Sequence, residues 1–340
     1  MLKYLSLFSG IGAFEKALNN LNVQYETVNY CEIDKHASKS YSAIHNIPES
    51  KNLWDITKIN VSELPKDIDL ITYGFPCQDI SICGKQKGMF NDDGSLTRSG
   101  LFFKALDIIE SVKPKIAIAE NVKALTSKNF TNEFRIVLNS LEKAGYNNYW
   151  KILNATEYGI PQDRDRVFIV SIRKDIDHNI FNFPKPYNLE KRLEDILEQT
   201  VDEKYFLTND LISKIVRWKA QQKPFKRVLG KKSISPTLTA RGAGEFHSGM
   251  ILYSDTLENT TNLHDYYLQN SEKIKNIRIR RLTPKECYRL MGFTDEDFEK
   301  AKSVNTSDTQ LYKQAGNSIV VNVLEELFCK LLDTENNLLV

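Results

Sequence analysis

The sequence predicts an α/β fold, in which a mostly parallel sheet has helices on both faces and a smaller, irregular, mostly β domain follows it. Short, continuous apolar runs alternate with amphipathic segments of helix length through the first half of the chain. Continuous apolar strands separated by helices are typical of parallel sheets that are buried on both faces. The alternation ends near Asp175, and a segment without clear periodicity follows Pro184 and Pro186, which predicts the separate smaller domain.

The predicted strands and helices alternate in chain order. Each strand is assigned to an apolar run of strand length, and each helix to an amphipathic segment between such runs. The expected strands are Tyr4 to Phe8, Val28 to Ile33, Asp69 to Phe75, Ile116 to Ala119, Tyr149 to Asn154 and Val167 to Ile172, and the expected helices are Ala13 to Leu21, Lys35 to His45, Leu101 to Val112 and Asn132 to Ala144.

Helical signals return near the end of the chain. Thr283, Pro284 and Glu286 are typical of a helix start, with threonine as the N-cap, proline first in the helix and glutamate third. Gly292 is expected to end this helix. A last helix is expected from about Ser318 to Leu332 and is expected to pack on the sheet.

Length and composition are those of a soluble globular protein. The chain has 340 residues, of which 41% are hydrophobic and 26% are charged, so it can form one large domain and a smaller one. The net charge of +2 excludes little, but the charges are unevenly distributed. Between Leu211 and Gly244 there are nine basic residues and no Asp or Glu. This stretch indicates a polyanionic partner, although a merely soluble basic loop has the same composition.

The cysteines and the N-terminal segment indicate the cellular compartment in which the protein is expected. Five cysteines are scattered without the spacing of a zinc site, so we expect free thiols, no metal and a reducing, cytoplasmic compartment. The segment from Met1 to Phe8 faintly resembles a signal peptide, but Glu15 and Lys16 interrupt the pattern and a first strand explains it better. No apolar run reaches the roughly 18 residues of a membrane helix, so no membrane partner is expected.

Chemically versatile side chains follow or precede three apolar runs. Cys77 comes directly after a proline at the end of the third predicted strand, and Glu120 follows the fourth. The segment before the sixth strand contains Arg164 and Arg166, which alternation places on the same side of an extended chain. Ligands gather at the carboxyl ends of parallel strands. A thiol, a carboxyl group and a guanidinium group at neighbouring strand ends can therefore surround one small, flat, polar molecule.

A glycine-rich turn joins the first predicted strand to the first helix. In Phe8-Ser9-Gly10-Ile11-Gly12 the glycines let the backbone approach a ligand closely. A dinucleotide fingerprint requires a third glycine where this chain has Glu15, which favours a ligand without a pyrophosphate, such as S-adenosylmethionine. Glu32, at the end of the second strand, suits hydrogen bonds to ribose hydroxyls, but both kinds of cofactor carry a ribose.

Together and in this order, the motifs resemble the DNA (cytosine-5) methyltransferase family of the prokaryotic or phage restriction-modification type, over nearly the whole chain. The resemblance implies a Rossmann-like domain that binds S-adenosylmethionine and a smaller target-recognition domain. The expected catalytic domain comprises residues 1–184 and 310–340, the recognition domain residues 185–276, and a hinge with the family's ninth motif residues 277–309. The motifs are Phe8-Ser9-Gly10-Ile11-Gly12, Gly74-Phe75-Pro76-Cys77-Gln78, Ala119-Glu120-Asn121-Val122, Gln162-Asp163-Arg164-Asp165-Arg166, Arg280 to Phe293, and Gln314-Ala315-Gly316-Asn317-Ser318.

The resemblance also implies a cofactor pocket, with S-adenosylhomocysteine as the product. Ile33, Asp55, Ile56 and Leu101 are expected to line its adenine and methionine parts, although each also has the plain alternative of a core or turn residue. The last motif is expected to close over the cofactor. The expected cofactor-binding residues are Phe8, Ser9, Gly10, Ile11, Gly12, Glu32, Ile33, Asp55, Ile56, Gly74, Pro76, Leu101, Asn317 and Ser318.

The resemblance implies a mechanism that overcomes the poor reactivity of cytosine carbon 5. A Cys77 thiolate adds to carbon 6 and makes carbon 5 nucleophilic, while Arg166 donates to the exocyclic oxygen. Glu120 protonates or hydrogen-bonds the ring nitrogen at position 3, which requires a pKa raised by burial or a proton shared with the base. The base must be flipped out of the duplex. The expected catalytic residues are Cys77, Glu120, Arg164 and Arg166.

The expected partner is double-stranded DNA, bound by a monomer, and the sequence leaves open whether a companion restriction endonuclease acts on the same site. The loop from Gln78 to Ser99 is expected to close over the flipped base. Thr237, in a Thr-Leu pair that resembles the family's recognition signature, is expected to contact a phosphate, and Arg227 or Arg241 to be among the arginines that read guanine edges. The expected DNA-binding residues are Ser81, Lys85, Gln86, Arg227, Thr237 and Arg241.

Three alternatives remain open at this point. An RNA methyltransferase of the same fold would share the catalytic motifs, but the basic stretch and the Thr237-Leu238 pair favour duplex DNA. A catalytically inactive DNA-binding relative is opposed by the presence of Cys77, Glu120 and Arg166. A nicotinamide oxidoreductase is weakened by Glu15 and by the lack of an identifiable hydride-transfer partner.

Overall fold

The computed structural model describes residues 1–76, 89, 97–212, 228–240, 252–259 and 278–332. The chain forms two compact units. The first comprises Met1–Asn154, Asp165–Pro186 and Val321–Val340, and the second comprises Ala155–Arg164 and Tyr187–Val320. Six predicted site residues lie outside the described residues, namely Cys77, Ser81, Lys85, Gln86, Arg227 and Arg241.

The first unit is built on a six-stranded sheet with the strand order β2-β1-β3-β4-β7-β5. Its strands are β1 (Leu2–Leu7), β2 (Tyr25–Cys31), β3 (Leu70–Tyr73), β4 (Ile116–Val122), β5 (Tyr146–Asn154) and β7 (Asp165–Arg173). Its helices are α1 (Ala13–Asn20), α2 (Lys35–His45), α3 (Phe102–Val112), α4 (Thr131–Lys143) and, near the end of the chain, α8 (Val321–Leu332).

The predicted α/β class and the mostly parallel sheet are confirmed. β1 pairs in parallel with β2 and β3, and β3 pairs in parallel with β4. Only β7 is reversed within this sheet, since it is antiparallel to both β4 and β5. The reversal follows from connectivity, because residues 155–164 join β5 to β7 without the crossover helix that a parallel neighbour requires.

Local sequence explains where the helices of the first unit begin and how they pack. The carboxylate of Asp34 caps α2 by accepting hydrogen bonds from the backbone N–H groups of His36 and Ala37. On α1 and α8, the rings of Phe14 and Phe328 meet edge to face with 6.2 Å between their centroids. The contact places the last helix against the first one. The last helix begins at Val321 rather than Ser318, because Ser318 has an extended backbone and ends a preceding helix.

The described part of the second unit contains short strands and helices. The ranges are β6 (Gln162–Asp163), β8 (Val228–Leu229), β9 (Ser235–Pro236), β10 (Leu252–Tyr253), β11 (Arg280–Arg281), α5 (Pro284–Arg289), α6 (Asp295–Ser303) and α7 (Asp308–Asn317). No helix in the described ranges of either unit is long and apolar enough to cross a membrane.

The start of α5 confirms the predicted capping signal. The Thr283 hydroxyl accepts a hydrogen bond from the Glu286 N–H at 3.2 Å, and the Glu286 carboxylate accepts one from the Thr283 N–H at 2.8 Å. Glu286 is fully buried, and both of its oxygens also accept hydrogen bonds from Arg280, at 2.7 Å each. One carboxylate therefore caps the helix and neutralises a buried guanidinium group.

Glu286→Ala is expected to destabilise the protein by about 3–5 kcal/mol, because it leaves the buried Arg280 cation without its counter-charge. The free energy of unfolding in urea measures the effect. Glu299→Ala is the matched control, because Glu299 pairs with Lys285 at 2.7 Å but is 54% exposed. Loss of that exposed pair is expected to cost less than about 1 kcal/mol. Equal costs for the two variants would contradict the assignment.

Candidate active site

The parallel strands bring four predicted motifs of the first unit to one edge of the sheet. Leu7 pairs with Cys31 on one side and with Tyr73 on the other, and Tyr73 pairs with Ala119. The segments after these residues therefore leave the sheet at the same edge. The reversed strand β7 begins there too, because Arg166 pairs with Val122. The glycine-rich turn, Glu32, the segment Gly74–Pro76, Glu120 and Arg166 consequently share this edge.

The glycine-rich turn is fixed by packing at one glycine and open at the other. Gly12 has a φ of 79°, and a Cβ added there would lie 2.1 Å from Nε2 of His45, so no larger residue fits. His45 Nε2 also lies 3.0 Å from the Ile11 carbonyl oxygen. Gly10 has a φ of 57°, and a Cβ added there would meet no atom of the described residues within 4 Å. The backbone at Gly10 is therefore accessible to a ligand.

Glu32 is held against this turn. One carboxylate oxygen accepts a hydrogen bond from the Gly10 N–H and the other from the Asp34 N–H, both at 2.8 Å. The next residue, Ile33, exposes 69% of its surface. The structure thus places the predicted ribose-binding carboxylate beside the predicted glycine turn, with an exposed apolar side chain next to it.

Asn52, which the sequence did not single out, connects Glu32 to Trp54, the residue before Asp55. The Asn52 amide oxygen accepts hydrogen bonds from the N–H groups of Glu32 at 3.0 Å and Trp54 at 2.8 Å. Its amide nitrogen donates to the Glu32 carbonyl and the Ser38 hydroxyl, both at 3.0 Å. Because all four bonds are made by one buried side chain, the segments around residues 32 and 54 are fixed to each other.

The remaining predicted cofactor residues of the first unit have different environments. The Asp55 carboxylate accepts hydrogen bonds from the Thr57 hydroxyl and N–H, and these bonds lower the pKa of Asp55. Ile56 is buried in the core, and Leu101 is partly buried against the same core. Phe8, Ser9, Gly74 and Pro76 are partly buried, whereas Ile11 is fully buried.

The residues at this edge fit S-adenosylmethionine. The open backbone at Gly10 admits a close ligand, the Glu32 carboxylate can accept hydrogen bonds from ribose hydroxyls, and the exposed Ile33 side chain provides an apolar surface. In the described part of the chain, no cluster of three or more His, Cys, Asp and Glu side chains is arranged to hold a metal ion.

Glu120 and Arg166 form an ion pair at the same edge. Arg166 Nε lies 2.9 Å from Glu120 Oε1, and the two side chains are only 16% and 13% exposed. Arg166 Nη1 also donates to the carbonyl oxygen of Asp165 at 2.7 Å, which fixes the guanidinium plane. A charge-assisted hydrogen bond with this little exposure is stronger than a surface pair. The structure therefore brings the predicted acid and the predicted oxygen donor into direct contact.

Strand β4 is longer than predicted, and this extension places the acid. The sequence predicted that the strand would end at Ala119, but it runs to Val122, with Glu120 paired to Phe168 of β7. The polar residues stay in the ladder because a neighbouring strand satisfies their backbone groups. Glu120 is consequently fixed by strand geometry.

Asn121 ties this strand to the segment that leads to Cys77. Its amide nitrogen donates to the Phe75 carbonyl oxygen at 3.0 Å, and its amide oxygen accepts from the Val122 N–H at 2.9 Å. Gly74, in the same segment as Phe75, also lies near Glu120, because a Cβ added to Gly74 would lie 3.5 Å from Glu120 Oε2. The backbone two residues before Cys77 is therefore anchored beside Glu120.

Asn121→Ala is expected to reduce kcat about tenfold while the dissociation constant for S-adenosylhomocysteine stays unchanged, because the segment Gly74–Pro76 loses its anchor. Single-turnover methylation and calorimetric titration measure the two quantities. Asn148→Ala is the matched control, since its amide nitrogen also donates to a strand-distant carbonyl, that of Leu138 at 3.2 Å. Both variants lose a hydrogen bond, so a similar kcat loss in the control would contradict the positioning role.

Arg164 makes contacts different from those of Arg166. It is 3% exposed, and its guanidinium nitrogens donate to the carbonyl oxygens of Leu238 at 2.8 Å, Gly316 at 3.1 Å and Ser318 at 2.7 Å. All four residues belong to the second unit. These contacts hold Arg164 on backbone carbonyls of the second unit, and its catalytic role remains a prediction. The alternation along the chain did not reveal this difference, because it carries no information on the partners of each arginine.

The other predicted residues of the second unit differ in their contacts and exposure. Thr237 donates its hydroxyl hydrogen to the Asp163 carbonyl at 2.6 Å, and Gln162 accepts a hydrogen bond from the Leu238 N–H at 2.9 Å. Asn317 is exposed at the end of α7, whereas Ser318 is buried. The Thr-Leu segment and the last predicted motif are therefore joined through Arg164, which donates to carbonyl oxygens of both.

Two cysteines of the described residues are ruled out as nucleophiles by their environment. Burial raises the pKa of the Cys31 thiol to about 12, with a smaller contribution from the Glu32 charge. Burial raises the pKa of the Cys287 thiol even further. Both thiols are therefore protonated at neutral pH and unreactive.

Comparison with known proteins identifies similar chains. A family model described as C-5 cytosine-specific DNA methylase matches residues 2–333. The orphan methyltransferase M.SPBetaI of Bacillus phage SPbeta is 34% identical, over 99% of this chain and 98% of the relative. The type II methyltransferase M.HhaI of Haemophilus parahaemolyticus is 35% identical, over 95% of this chain and 92% of the relative. The structure resembles that of the S. pombe Dnmt2 methyltransferase, with a TM-score of 0.73 and 25% identity over 98% of this chain and 99% of that one.

Proposed function

Since the chain belongs to the family of C-5 cytosine-specific DNA methylases, we propose that it methylates a cytosine flipped out of a short, specific sequence of duplex DNA, through a covalent bond to Cys77. It is a DNA (cytosine-5-)-methyltransferase with S-adenosylmethionine as the methyl donor. The observation that carries the detailed proposal is the Glu120–Arg166 ion pair beside the segment Gly74–Pro76.

The proposed reaction begins with the thiolate of Cys77. It forms a bond to carbon 6 of cytosine, and the electron pair displaced in the ring makes carbon 5 nucleophilic. When bound, S-adenosylmethionine would supply an electrophilic methyl group, which carbon 5 takes up as the methyl–sulfur bond breaks and leaves S-adenosylhomocysteine. A base, for which water suffices, takes the carbon 5 proton, and the electron pair of that C–H bond expels the Cys77 thiolate and restores the aromatic ring.

Glu120 and Arg166 act on the ring as it gains charge. Glu120 donates a proton or a hydrogen bond to the ring nitrogen at position 3, and Arg166 donates to the exocyclic oxygen. In this ion pair Arg166 Nε contacts Glu120 Oε1, so the guanidinium group orients the carboxyl group directly. Both side chains are mostly buried, where such interactions act with little screening by water.

We assign the cofactor to the edge with Gly10, Glu32, Ile33 and Asp55, and the catalytic domain to residues 1–184 and 310–340. Residues 185–276 form the proposed recognition domain, joined through residues 277–309. Duplex DNA is the substrate, and the basic stretch from Leu211 to Gly244 is the proposed phosphate-binding segment. We further propose a monomer that acts with or without a companion endonuclease.

The experiment that tests this function uses two substrates. A plasmid and a transfer RNA pool are each incubated with the protein and S-adenosylmethionine and are then sequenced after bisulfite treatment. We expect protected cytosines at one short recurring motif in the plasmid. Protection in RNA alone would instead favour the RNA methyltransferase. No protection in either substrate, with S-adenosylhomocysteine bound, would indicate an inactive DNA-binding protein.

A further inference from the structure

Trp54 has an unusual backbone conformation for a bulky residue. Its φ is 58°, in the left-handed region that favours glycine, and its side chain is 38% exposed. Such a conformation costs free energy and persists only where the surroundings enforce it. A glycine would adopt it without strain. An aromatic side chain at this position therefore points to a function of the indole.

The surroundings of Trp54 enforce the conformation from both sides. Its N–H donates to the Asn52 amide oxygen at 2.8 Å, and its carbonyl oxygen accepts a hydrogen bond from the Cys31 thiol at 3.1 Å. One residue earlier, the Leu53 N–H donates to the Tyr30 carbonyl at 2.7 Å. Residues 53 and 54 are thereby fixed alongside the end of β2.

This position lies next to the proposed cofactor site. The Asn52 oxygen that binds Trp54 also binds the Glu32 N–H at 3.0 Å, so the two backbones are separated by a single amide oxygen. The Glu32 carboxylate in turn holds the Gly10 N–H. Ile33, which follows Glu32, is 69% exposed. One edge thus combines an indole, an aliphatic side chain, a carboxylate and an open backbone.

We propose that Trp54 is a cofactor-binding residue, whose indole packs on the adenine ring of S-adenosylmethionine. The inference rests on the proposed function and adds a residue to its cofactor site. Ile33 offers an aliphatic surface, whereas Trp54, whose backbone is joined to that of Glu32 through Asn52, is an exposed aromatic residue of the same edge. A flat indole stabilises a flat purine by stacking, which needs no particular hydrogen-bond pattern. The free energy gained when the ligand covers the exposed ring offsets the cost of the left-handed backbone at Trp54.

The test measures the affinity for S-adenosylhomocysteine by calorimetry in the full-length protein. Trp54→Gly and Trp54→Asn both suit the left-handed backbone, so their urea midpoints are expected to equal or exceed that of the wild type. Their dissociation constants are expected to rise about 5- to 100-fold. Trp54→Phe retains an aromatic ring and is expected to bind within about threefold of the wild type. Trp150→Ala is the control, because Trp150 is also exposed, at 45%, but lies on β5 and is expected to leave affinity unchanged.

A second readout follows the indole itself. S-adenosylhomocysteine is expected to change the tryptophan fluorescence of the wild type, and Trp54→Phe is expected to abolish this change. Unaltered affinity in both Trp54→Gly and Trp54→Asn would overturn the inference, as would a loss in Trp54→Phe as large as in Trp54→Gly. These outcomes leave the proposed function intact. Failure of the wild type to bind S-adenosylhomocysteine at all would overturn the proposed function instead.

Discussion

Cys77→Ala is expected to reduce methyl transfer by at least about a thousand-fold, because without the thiolate carbon 5 of cytosine is too weak a nucleophile. The affinity for S-adenosylhomocysteine is expected to stay within a few-fold of the wild type, since the change removes only a small side chain. Single-turnover kinetics and calorimetry measure the two quantities.

A trapped covalent bond identifies the thiol directly. DNA with 5-fluorocytosine at the target position carries fluorine where the proton of carbon 5 must leave, so the enzyme–DNA bond cannot break after methyl transfer. The wild type is expected to remain attached to this DNA in denaturing electrophoresis, and Cys77→Ala is not. Cys329→Ala is the matched control, because it removes a partly buried thiol of α8 and is expected to retain the attachment. Attachment in Cys77→Ala, or near-normal methylation by it, would exclude the mechanism.

The sequence predicted most of the first unit because its signals there are local and mutually consistent. The bounds predicted for α2 are those observed, and Asp34 caps this helix with two hydrogen bonds to residues two and three positions away. The start of α5 was equally predictable, since Thr283 and Glu286 form a capping box within four residues. Apolar runs likewise located the strands, because a buried strand requires apolar residues on both faces.

Strand direction and strand ends depend on partners that are distant in sequence. The reversal of β7 could not be predicted from its apolar run, because strands of either direction have the same composition when both faces are buried. The extension of β4 to Val122 likewise depends on pairing with Arg166. The motifs predicted Glu120 and Arg166, but the 2.9 Å contact between them depends on the pairing of β4 with β7.

The supporting residues of the site were missed for a similar reason. Asn52 lies 20 residues from Glu32 in sequence, and no local pattern indicates that its amide joins Glu32 to Trp54. The left-handed backbone of Trp54 runs against the preference of its residue type, so sequence reasoning predicts the opposite. Arg164 and Arg166 look equivalent in the sequence, and only their partners distinguish them.

Glu120→Gln is expected to lower kcat by about 10²- to 10⁴-fold, because an amide cannot transfer a proton to the ring nitrogen. The fold is expected to persist, since the glutamine oxygen can still accept a hydrogen bond from Arg166 Nε. The affinity for S-adenosylhomocysteine is expected to be unchanged. Rapid-quench methylation measures the rate, and urea unfolding measures the stability.

A neighbouring carboxylate provides the matched control for this acid. Asp165 pairs with Lys123 at 2.8 Å, and although burial alone would raise its pKa, hydrogen bonds from Lys123 and Asn154 outweigh burial and lower it. Asp165→Asn therefore removes a charge next to Arg166 without removing the proposed proton donor, and kcat is expected to fall less than about tenfold. Comparable losses in the two variants would mean that Glu120 acts through charge alone. A loss confined to Glu120→Gln assigns the proton to Glu120, whose carboxyl group is paired with the Arg166 side chain on the strand that Asn121 anchors to Phe75.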